Sequence, residues 1–155
     1  MNTKYIKGEL QVKALENGTV IDHIPANKLF KVVEILQLEQ IPNEVTIGNN
    51  LASKRMGVKG IIKIADRFFE EKEINRIALL APNAKINIIR DYEVTEKKII
   101  ELPDHFKGIV KCVNPKCITN NEAMESRYTV LSKTPLVLKC PYCEREIREE
   151  ELQLL

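Results

Sequence analysis

Four cysteines near the C-terminus limit most strongly what this chain can fold into. Cys112 and Cys117 form a C-x4-C pair, and Cys140 and Cys143 form a C-x2-C pair, with 22 residues between the two pairs. Two such pairs brought together supply four thiolates, the ligand set of a tetrahedral structural zinc. Four sulfur ligands leave no coordination position for a substrate, so this zinc would stabilise the fold without catalysing a reaction.

Two other interpretations of the cysteines remain open at this point. Two disulfides would suit a secreted protein, but the chain has no export signal and cytosolic thiols stay reduced. A thioredoxin-like redox pair at Cys140-Pro141-Tyr142-Cys143 should open a helix after a strand. It would also leave Cys112 and Cys117 without a role. The metal site accounts for all four thiols.

Composition narrows the function classes. The chain has 155 residues, 44% of them hydrophobic and 30% charged, as in ordinary globular proteins. No apolar run approaches about 18 residues, so we expect no membrane span and a cytoplasmic protein. The net charge of +2, with no dense basic patch, argues against a dedicated nucleic-acid-binding protein. Two histidines and no G-x-S-x-G motif predict no catalytic residues.

The first part of the chain alternates strand and helix patterns. Apolar residues at helical spacing predict one helix over Leu29–Leu36, ending before Pro42, and another over Ile74–Ala81, ending at Pro82. Asn17-Gly18 predicts a two-residue turn between the first two strands, which would place Lys13 opposite Asp22 and Val12 opposite His23. The predicted strands are Leu10–Leu15, Thr19–Ile24, Val45–Gly48, Gly60–Ala65, Ala84–Ile89, and Tyr92–Val94 with Lys98–Leu102, and residues 49–53 are predicted as a polar loop. This order indicates a two-layer α+β domain with both helices on one face.

A second, smaller domain follows. The composition changes at Pro103, and Pro103–Phe106 is predicted as a linker, so we expect domains at residues 1–102 and 103–155. Tyr128–Leu131 and Leu136–Lys139 are predicted strands between the cysteine pairs. So few residues bury too little surface to fold alone, and a metal would supply the missing stability.

Several short motifs carry a resemblance when their order and spacing are taken together with the four cysteines. They are Gly18-Thr-Val-Ile-Asp-His-Ile-Pro25, Thr46-Ile-Gly48 with Asn50-Leu51, Met56-Gly57, Ile62-Lys-Ile64, Ala81-Pro82 and Tyr92-Glu-Val94. Over essentially its whole length the chain resembles the regulatory chain of bacterial and archaeal aspartate carbamoyltransferase.

The resemblance implies a non-catalytic allosteric subunit that controls pyrimidine biosynthesis. A ferredoxin-like domain would bind nucleoside triphosphates and pair with a second copy, giving a homodimer of regulatory chains. A small zinc-stapled antiparallel β domain would then contact the catalytic chain. Three regulatory dimers would bridge two catalytic trimers in a dodecamer. In this family ATP is expected to activate and CTP to inhibit.

The resemblance also implies which residues line the nucleotide pocket. Lys59, Lys63 and Lys97 match cationic positions near the effector. Asp22 would accept a hydrogen bond from a ribose hydroxyl, and His23 would lie near phosphate. The walls and lining of the base and ribose pocket would come from Val12, Ala14, Leu15, Val20, Asn87, Ile89, Tyr92 and Val94. A second nucleotide, or a metal linking two nucleotides such as UTP with Mg²⁺, would lie near Asn50.

The same residues also have ordinary structural explanations. Lysines are usually solvated and strand hydrophobics usually form core. Asp22 could pair with Lys13 across the ladder. Because Asp22 and His23 are adjacent on a strand, we expect them to face opposite sides of the sheet, which argues against an Asp–His catalytic dyad.

Two positions depart from the family pattern. Lys13 stands where an acidic residue is expected, and this reversal of charge should strengthen the attraction of a triphosphate. Pro115-Lys116 replaces a more polar turn between the first two cysteines. Asn114 and Glu144 match positions expected at the contact with the catalytic chain, whereas Lys116 does not.

Two other functional classes share parts of this pattern. Zinc-ribbon nucleic-acid-binding proteins share the cysteine pattern, but the tail Glu144-Arg-Glu-Ile-Arg-Glu-Glu-Glu alternates in sign and ends acidic, which disfavours phosphate binding. An enzyme, either a thiol oxidoreductase or a zinc hydrolase, needs a low-pKa thiol or an open metal position. Four cysteine ligands leave no open position.

Overall fold

The structure, a computed structural model, describes residues 15–155. The predicted strand Leu10–Leu15 is the first strand of the predicted Asn17-Gly18 hairpin. Except for Leu15, it lies outside these residues. The chain divides into two compact units, the first ending at Ile100 and the second spanning Glu101–Leu155. Within residues 15–155, none of the helices is both long enough and apolar enough to cross a membrane.

From residue 15 onward, the first unit contains five strands and two α-helices. The strands are β1 (Gly18–Pro25), β2 (Val45–Ser53), β3 (Gly57–Ala65), β4 (Lys85–Arg90) and β5 (Glu93–Ile99), and the helices are α1 (Leu29–Ile35) and α2 (Glu71–Leu80), with a short 3₁₀ helix at Leu38–Gln40. The sheet order is β2-β3-β1-β4-β5, and every neighbouring pair is antiparallel. With β5 set aside, this is the ferredoxin-like order produced by a β-α-β-β-α-β chain. The predicted α+β class is confirmed.

Both helices cover one face of this sheet. Ile21, Ile62 and Ile86 are paired across three strands and are almost completely buried. Leu29 of α1 lies against Gly60 on the same face, and Ile74 of α2 lines a cavity together with Ile86. Burying this row of isoleucines beneath the apolar sides of the two helices removes hydrocarbon from water, which is the main favourable contribution to this core.

The ends of α2 follow from local sequence. Glu70 precedes the helix, and its side chain accepts a hydrogen bond from the backbone N–H of Glu73. In turn, the Glu73 side chain accepts a hydrogen bond from the Glu70 N–H. This reciprocal capping satisfies N–H groups that have no partner within the helix. Pro82 lies just beyond the last helical residue, where its ring and missing N–H prevent continuation.

Three predictions about secondary structure are wrong. Residues 49–53, predicted as a loop, belong to β2, because a bulge between Gly48 and Leu51 with Asn50 at φ 57° lets pairing with β3 resume. Tyr92, predicted in a strand, lies in a tight turn with Asp91, both residues having positive φ, and β5 then runs without interruption to Ile99.

The second unit is a four-stranded antiparallel sheet. Its strands are β6 (His105–Lys107), β7 (Arg127–Lys133), β8 (Leu136–Lys139) and β9 (Glu146–Arg148), with the short helix α3 at Ile118–Asn121 and a 3₁₀ turn at Glu149–Glu151. The predicted linker is the third error, because His105 and Phe106 lie in β6. Phe106 is buried and its ring packs against Tyr128, with centroids 6.0 Å apart, which holds β6 on the sheet.

Candidate functional site

The four cysteine sulfurs lie together in the second unit. All of them are within 4.8 Å of one another, and two Sγ–Sγ distances are 3.6 Å for Cys112–Cys143 and 3.7 Å for Cys117–Cys140. In a tetrahedron with zinc–sulfur bonds of about 2.3 Å, the sulfurs are about 3.8 Å apart. All four cysteines are free of disulfides. The set is therefore positioned to bind a tetrahedral metal ion.

The backbone around each cysteine pair is held by local hydrogen bonds. The Asn120 side-chain amide donates to the carbonyl oxygens of both Cys112 and Asn114, each at 2.8 Å. In the second pair, the Glu144 N–H donates to the Cys140 carbonyl at 2.7 Å, and Glu144 has φ 63°. Such partners orient metal ligands before the metal arrives.

Electrostatics favour a cation at this cluster. Burial raises the pKa of the Cys112 thiol, and it raises the pKa of Cys140 to about 12. Burial also opposes ionisation of Cys143, but hydrogen bonds, the largest of them from the Arg145 backbone, outweigh it and lower the pKa of Cys143 to about 7. Four thiolates in one place repel one another, and a bound dication supplies the charge that offsets this repulsion.

In the first unit, a row of side chains crosses the sheet face that points away from the helices. Val20 on β1 is paired with Lys63 on β3 and with Asn87 on β4, and Asn87 is paired with Lys97 on β5. Directly opposed residues in an antiparallel ladder point to the same face. The structure thus brings four predicted pocket residues into one line across four strands.

One end of this face is apolar. Ile89 is paired with Gly18 and with Val94, and Val94 is 47% exposed. Leu15 and Tyr92 line a cavity of about 200 Å³ beside this end, whose other walls are mostly polar and include Glu44 and Asp66. The apolar surface of Ile89 and Val94 suits the flat face of a base.

The other end of the face is charged and centres on Asp22. Its carboxylate oxygens lie 2.9 Å and 3.1 Å from the Lys59 ammonium. Lys85 is the Cα partner of Asp22 across the β1–β4 ladder, and Lys63 lies in the adjacent row. Burial lowers the pKa of Lys63, although the charge of Asp22 opposes this shift. Among the described residues, three lysines therefore share this end of the face with one carboxylate, Asp22.

His23 occupies a bulge at this charged end. Its φ is 59°, and pairing with β3 is interrupted between Ile21 and Ile24. The His23 N–H donates to Asp22 Oδ1 at 2.6 Å, and the ring Nδ1 lies 3.6 Å from the same oxygen. The prediction that Asp22 and His23 face opposite sides is therefore wrong, because the bulge interrupts the alternation.

The surroundings of the His23 ring disfavour its charged form. Burial lowers the pKa of His23, Asp22 opposes this shift, and the charges of Lys59, Lys85 and Arg55 add to it. Among the described residues, the buried Nδ1 has no hydrogen-bond partner. A strained residue with a buried, unpaired nitrogen beside several cations indicates a binding site rather than ordinary core.

Comparisons with known proteins agree for both units. Residues 10–101 match the family described as aspartate carbamoyltransferase regulatory chain, allosteric domain, and residues 104–153 match the metal binding domain of the same chain. The chain belongs to the aspartate carbamoyltransferase regulatory chain family. This assignment confirms the resemblance and the non-catalytic class, and pyrimidine biosynthesis follows from the enzyme.

Individual members of the regulatory chain family are similar over nearly their full length. The Parabacteroides distasonis regulatory chain is 63% identical over 146 residues, covering 94% of this chain and 95% of its own length. The Bacteroides thetaiotaomicron chain is 59% identical over 149 residues, covering 96% and 97%. The archaeal chain of Pyrococcus abyssi is 51% identical over 146 residues, covering 93% and 96%.

The individual site residues remain predictions. Val12, Lys13 and Ala14 lie outside the described residues, so the proposed Lys13–Asp22 pair stays untested, and Asp22 binds Lys59. Asn114 and Glu144 both belong to the turns that hold the cysteines, whatever they contact in a regulatory chain complex.

Three residues of these sites were missed by sequence reasoning. The charges of Lys85 and Arg55 lower the pKa of His23. The side chain of Asn120 donates hydrogen bonds to two backbone carbonyls beside the cysteines. The alternation of Lys85, Asn87 and Ile89 along one strand was a readable signal for Lys85, since every second residue shares a face. Arg55 lies in the β2–β3 turn, where sequence gives no such signal.

Proposed function

We propose that this chain is an allosteric subunit that binds nucleoside triphosphates on the open face of its first sheet, with CTP inhibiting and ATP activating the catalytic chains. The observation that carries the proposal is the polarity of this face. An apolar end at Ile89 and Val94 leads through Asn87 to a half-buried group of cations around Asp22. Such a gradient suits a ligand with a flat base at one end and polyphosphate at the other.

The proposed response rests on different affinities in two quaternary states. An effector shifts the equilibrium of the complex when it binds one state more tightly than the other. A coupling of about 1–3 kcal/mol corresponds to a change in affinity of roughly 5–150-fold. Because CTP and ATP would share one pocket, each should displace the other.

The second unit is proposed to hold one zinc ion and to bind the catalytic chain. The sulfur spacing and the softness of thiolate ligands favour zinc over oxygen-preferring ions. In the proposed assembly, homodimers of this chain bridge catalytic trimers, three dimers to two trimers, in the cytoplasm. Asn50, exposed at the bulge of β2, is proposed to lie near a second nucleotide or a linking Mg²⁺ with UTP.

Two adjacent lysines give a matched test of the nucleotide face. Lys97 is paired with Asn87 on the open face, whereas Lys98 is paired with Ile86 and lines a cavity on the helix side. We expect isothermal titration to show CTP and ATP binding that weakens about tenfold in Lys97→Gln. Lys98→Gln should bind as the unchanged chain does, and a purified complex that binds neither nucleotide would overturn the proposal.

Partner binding is tested separately by co-purification with an aspartate carbamoyltransferase catalytic chain. With zinc present we expect a larger particle by light scattering, and a chelator should abolish it. Separate elution of the two chains in zinc would contradict the assignment of the partner. Salt-dependent retention of the chain on DNA or RNA would favour the nucleic-acid alternative instead.

A further inference from the structure

Lys85 lies at the charged end of the open sheet face but has no assigned role. It is on β4, whose neighbours are β1 and β5. In the ladder its Cα partners are Asp22 on β1 and Ile99 on β5. Lys85 therefore shares a face with Asp22, Asn87 and Lys97, since alternate strand residues and their direct partners point the same way.

The position of Lys85 falls between two residues that are proposed to meet phosphate. His23 is on β1 and Lys97 is on β5, and β4 is the strand between them. Adjacent strands are about 4.8 Å apart, so His23 and Lys97 are separated by about 10 Å across the sheet. A polyphosphate that contacts both side chains has to pass over β4. Lys85 is the β4 cation on that face.

Within residues 15–155, Lys85 has no ion-pair partner to balance its charge. Its nearest carboxylate across the ladder, Asp22, is engaged by Lys59 at 2.9 Å. Among the described residues, no carboxylate forms an ion pair with Lys85, whose side chain is half-buried. Lys63 lies on the same face in the adjacent row. Holding three ammonium groups around one carboxylate is unfavourable unless an anion completes the group.

We infer that Lys85 is a phosphate-binding residue of the nucleotide pocket, which grips the polyphosphate between His23 and Lys97 and thereby favours triphosphates over monophosphates. The inference rests on the proposed function, because it concerns the same pocket. The lowered pKa of His23, to which the charge of Lys85 contributes, fits this placement. When bound, the anion would offset the mutual repulsion of the lysines at this end of the face, Lys59, Lys63 and Lys85.

The test is isothermal titration of the full chain, as the zinc-loaded complex, with CTP, CMP and cytidine. Losing one charge-assisted hydrogen bond should weaken CTP binding about tenfold in Lys85→Gln while leaving cytidine within about twofold. Lys85→Arg, which keeps the charge, should restore most of the CTP affinity. Lys31→Gln, an exposed lysine on α1, is the control and should bind CTP normally.

The outcomes separate this inference from the proposed function. If the unchanged complex binds CTP and Lys85→Gln binds it equally well, Lys85 does not contact phosphate. Equal weakening of CTP and cytidine would also contradict the inference, since it would place the effect at the base or in the fold. If the unchanged complex binds no nucleotide, the proposed function itself fails. If Lys85→Gln unfolds, the affinities of Lys85→Arg for CTP and CMP are compared instead. Because this variant keeps the charge, it should keep the preference for CTP, and loss of that preference would overturn the inference.

Discussion

At the scale of single residues, the described part of the charged end of the first sheet contains more cations than carboxylates. Asp22 is the acceptor for Lys59 and also for the His23 backbone N–H. Both of its oxygens therefore have a partner, and one negative charge faces the positive charges of Lys59, Lys63 and Lys85. Lys63 is half-buried, so this region is partly shielded from water, and this burial lowers the pKa of Lys63. Charges that water screens poorly interact strongly, so an anion entering here gains more than it would on an exposed surface.

His23 gives a prediction for stability against pH. Burial and neighbouring cations lower its pKa in the folded chain, whereas the unfolded chain keeps the ordinary value of 6.5. As the pH falls below about 6.5, the unfolded state takes up the proton before the folded state does. The contribution of neutral His23 to stability is therefore complete above that pH and is lost below it. We expect thermal unfolding, measured from about pH 8 to about pH 5.5, to show that His23→Gln loses less stability than the parent as the pH falls.

The parent and the variants have the same metal site. Its contribution to the pH dependence of stability therefore cancels when their curves are compared. His105→Gln is the control, because His105 is exposed in the second unit, and it should follow the parent at every pH. The groups that face His23 are Asp22, Lys59, Lys85 and Arg55, and all of them are kept in both variants. Parallel curves for the parent and His23→Gln would show that His23 contributes no such linkage.

At the scale of elements, β1 is the strand on which the first unit depends, because it pairs with both β3 and β4. Gly18 begins this strand at φ 145°, and a Cβ there would collide with the carbonyl oxygen of Ile64 and lie 3.1 Å from Ala65 Cα. Both obstacles are backbone of β3, which cannot move without disturbing the ladder. The close approach of the two strands therefore requires glycine.

We expect Gly18→Ala to lower the free energy of unfolding by about 2–4 kcal/mol, because conformational strain and the backbone collision add together. Gly57→Ala is the matched control, since Gly57 also has positive φ, 79°, but a Cβ there would meet nothing within 4 Å. That variant should lose only about 1 kcal/mol from the backbone conformation. Urea unfolding of both variants measures the difference, and equal losses would contradict the steric explanation.

The elements that the sequence predicted are those whose signals are local. The spacing of apolar residues located α1 and α2, and the cysteine spacing located the metal cluster. The bulge at His23 gives no such signal, because positive φ inside a strand is not marked by a glycine there. The meeting of Lys63, Val20, Asn87 and Lys97 depends on the register between four strands, which no single segment specifies. The resemblance, not periodicity, had assigned these residues to one pocket.

At the scale of the whole molecule, the two units are stabilised in different ways. The first buries a continuous set of isoleucines and leucines between its sheet and its helices. The second, Glu101–Leu155, buries far fewer large side chains, and three of its buried residues are cysteines. A domain of this size usually needs a metal or disulfides, and its cysteines form no disulfide. Metal binding should therefore be part of the folding free energy of the second unit alone.

Removal of the metal should accordingly unfold the second unit and leave the first intact. Structural zinc contributes on the order of 10 kcal/mol to the folding of small domains, more than a sheet of this size can replace. After chelation of the assembled complex we expect release of the catalytic chains, proteolysis confined to residues beyond Glu101, and CTP affinity unchanged within about twofold. Adding Zn²⁺ should restore the particle, whereas Mg²⁺ should not, because thiolates are poor ligands for it. Loss of CTP binding together with the catalytic chains would show that the two units fold as one, and an undisturbed complex without metal would refute a structural role for the four cysteines.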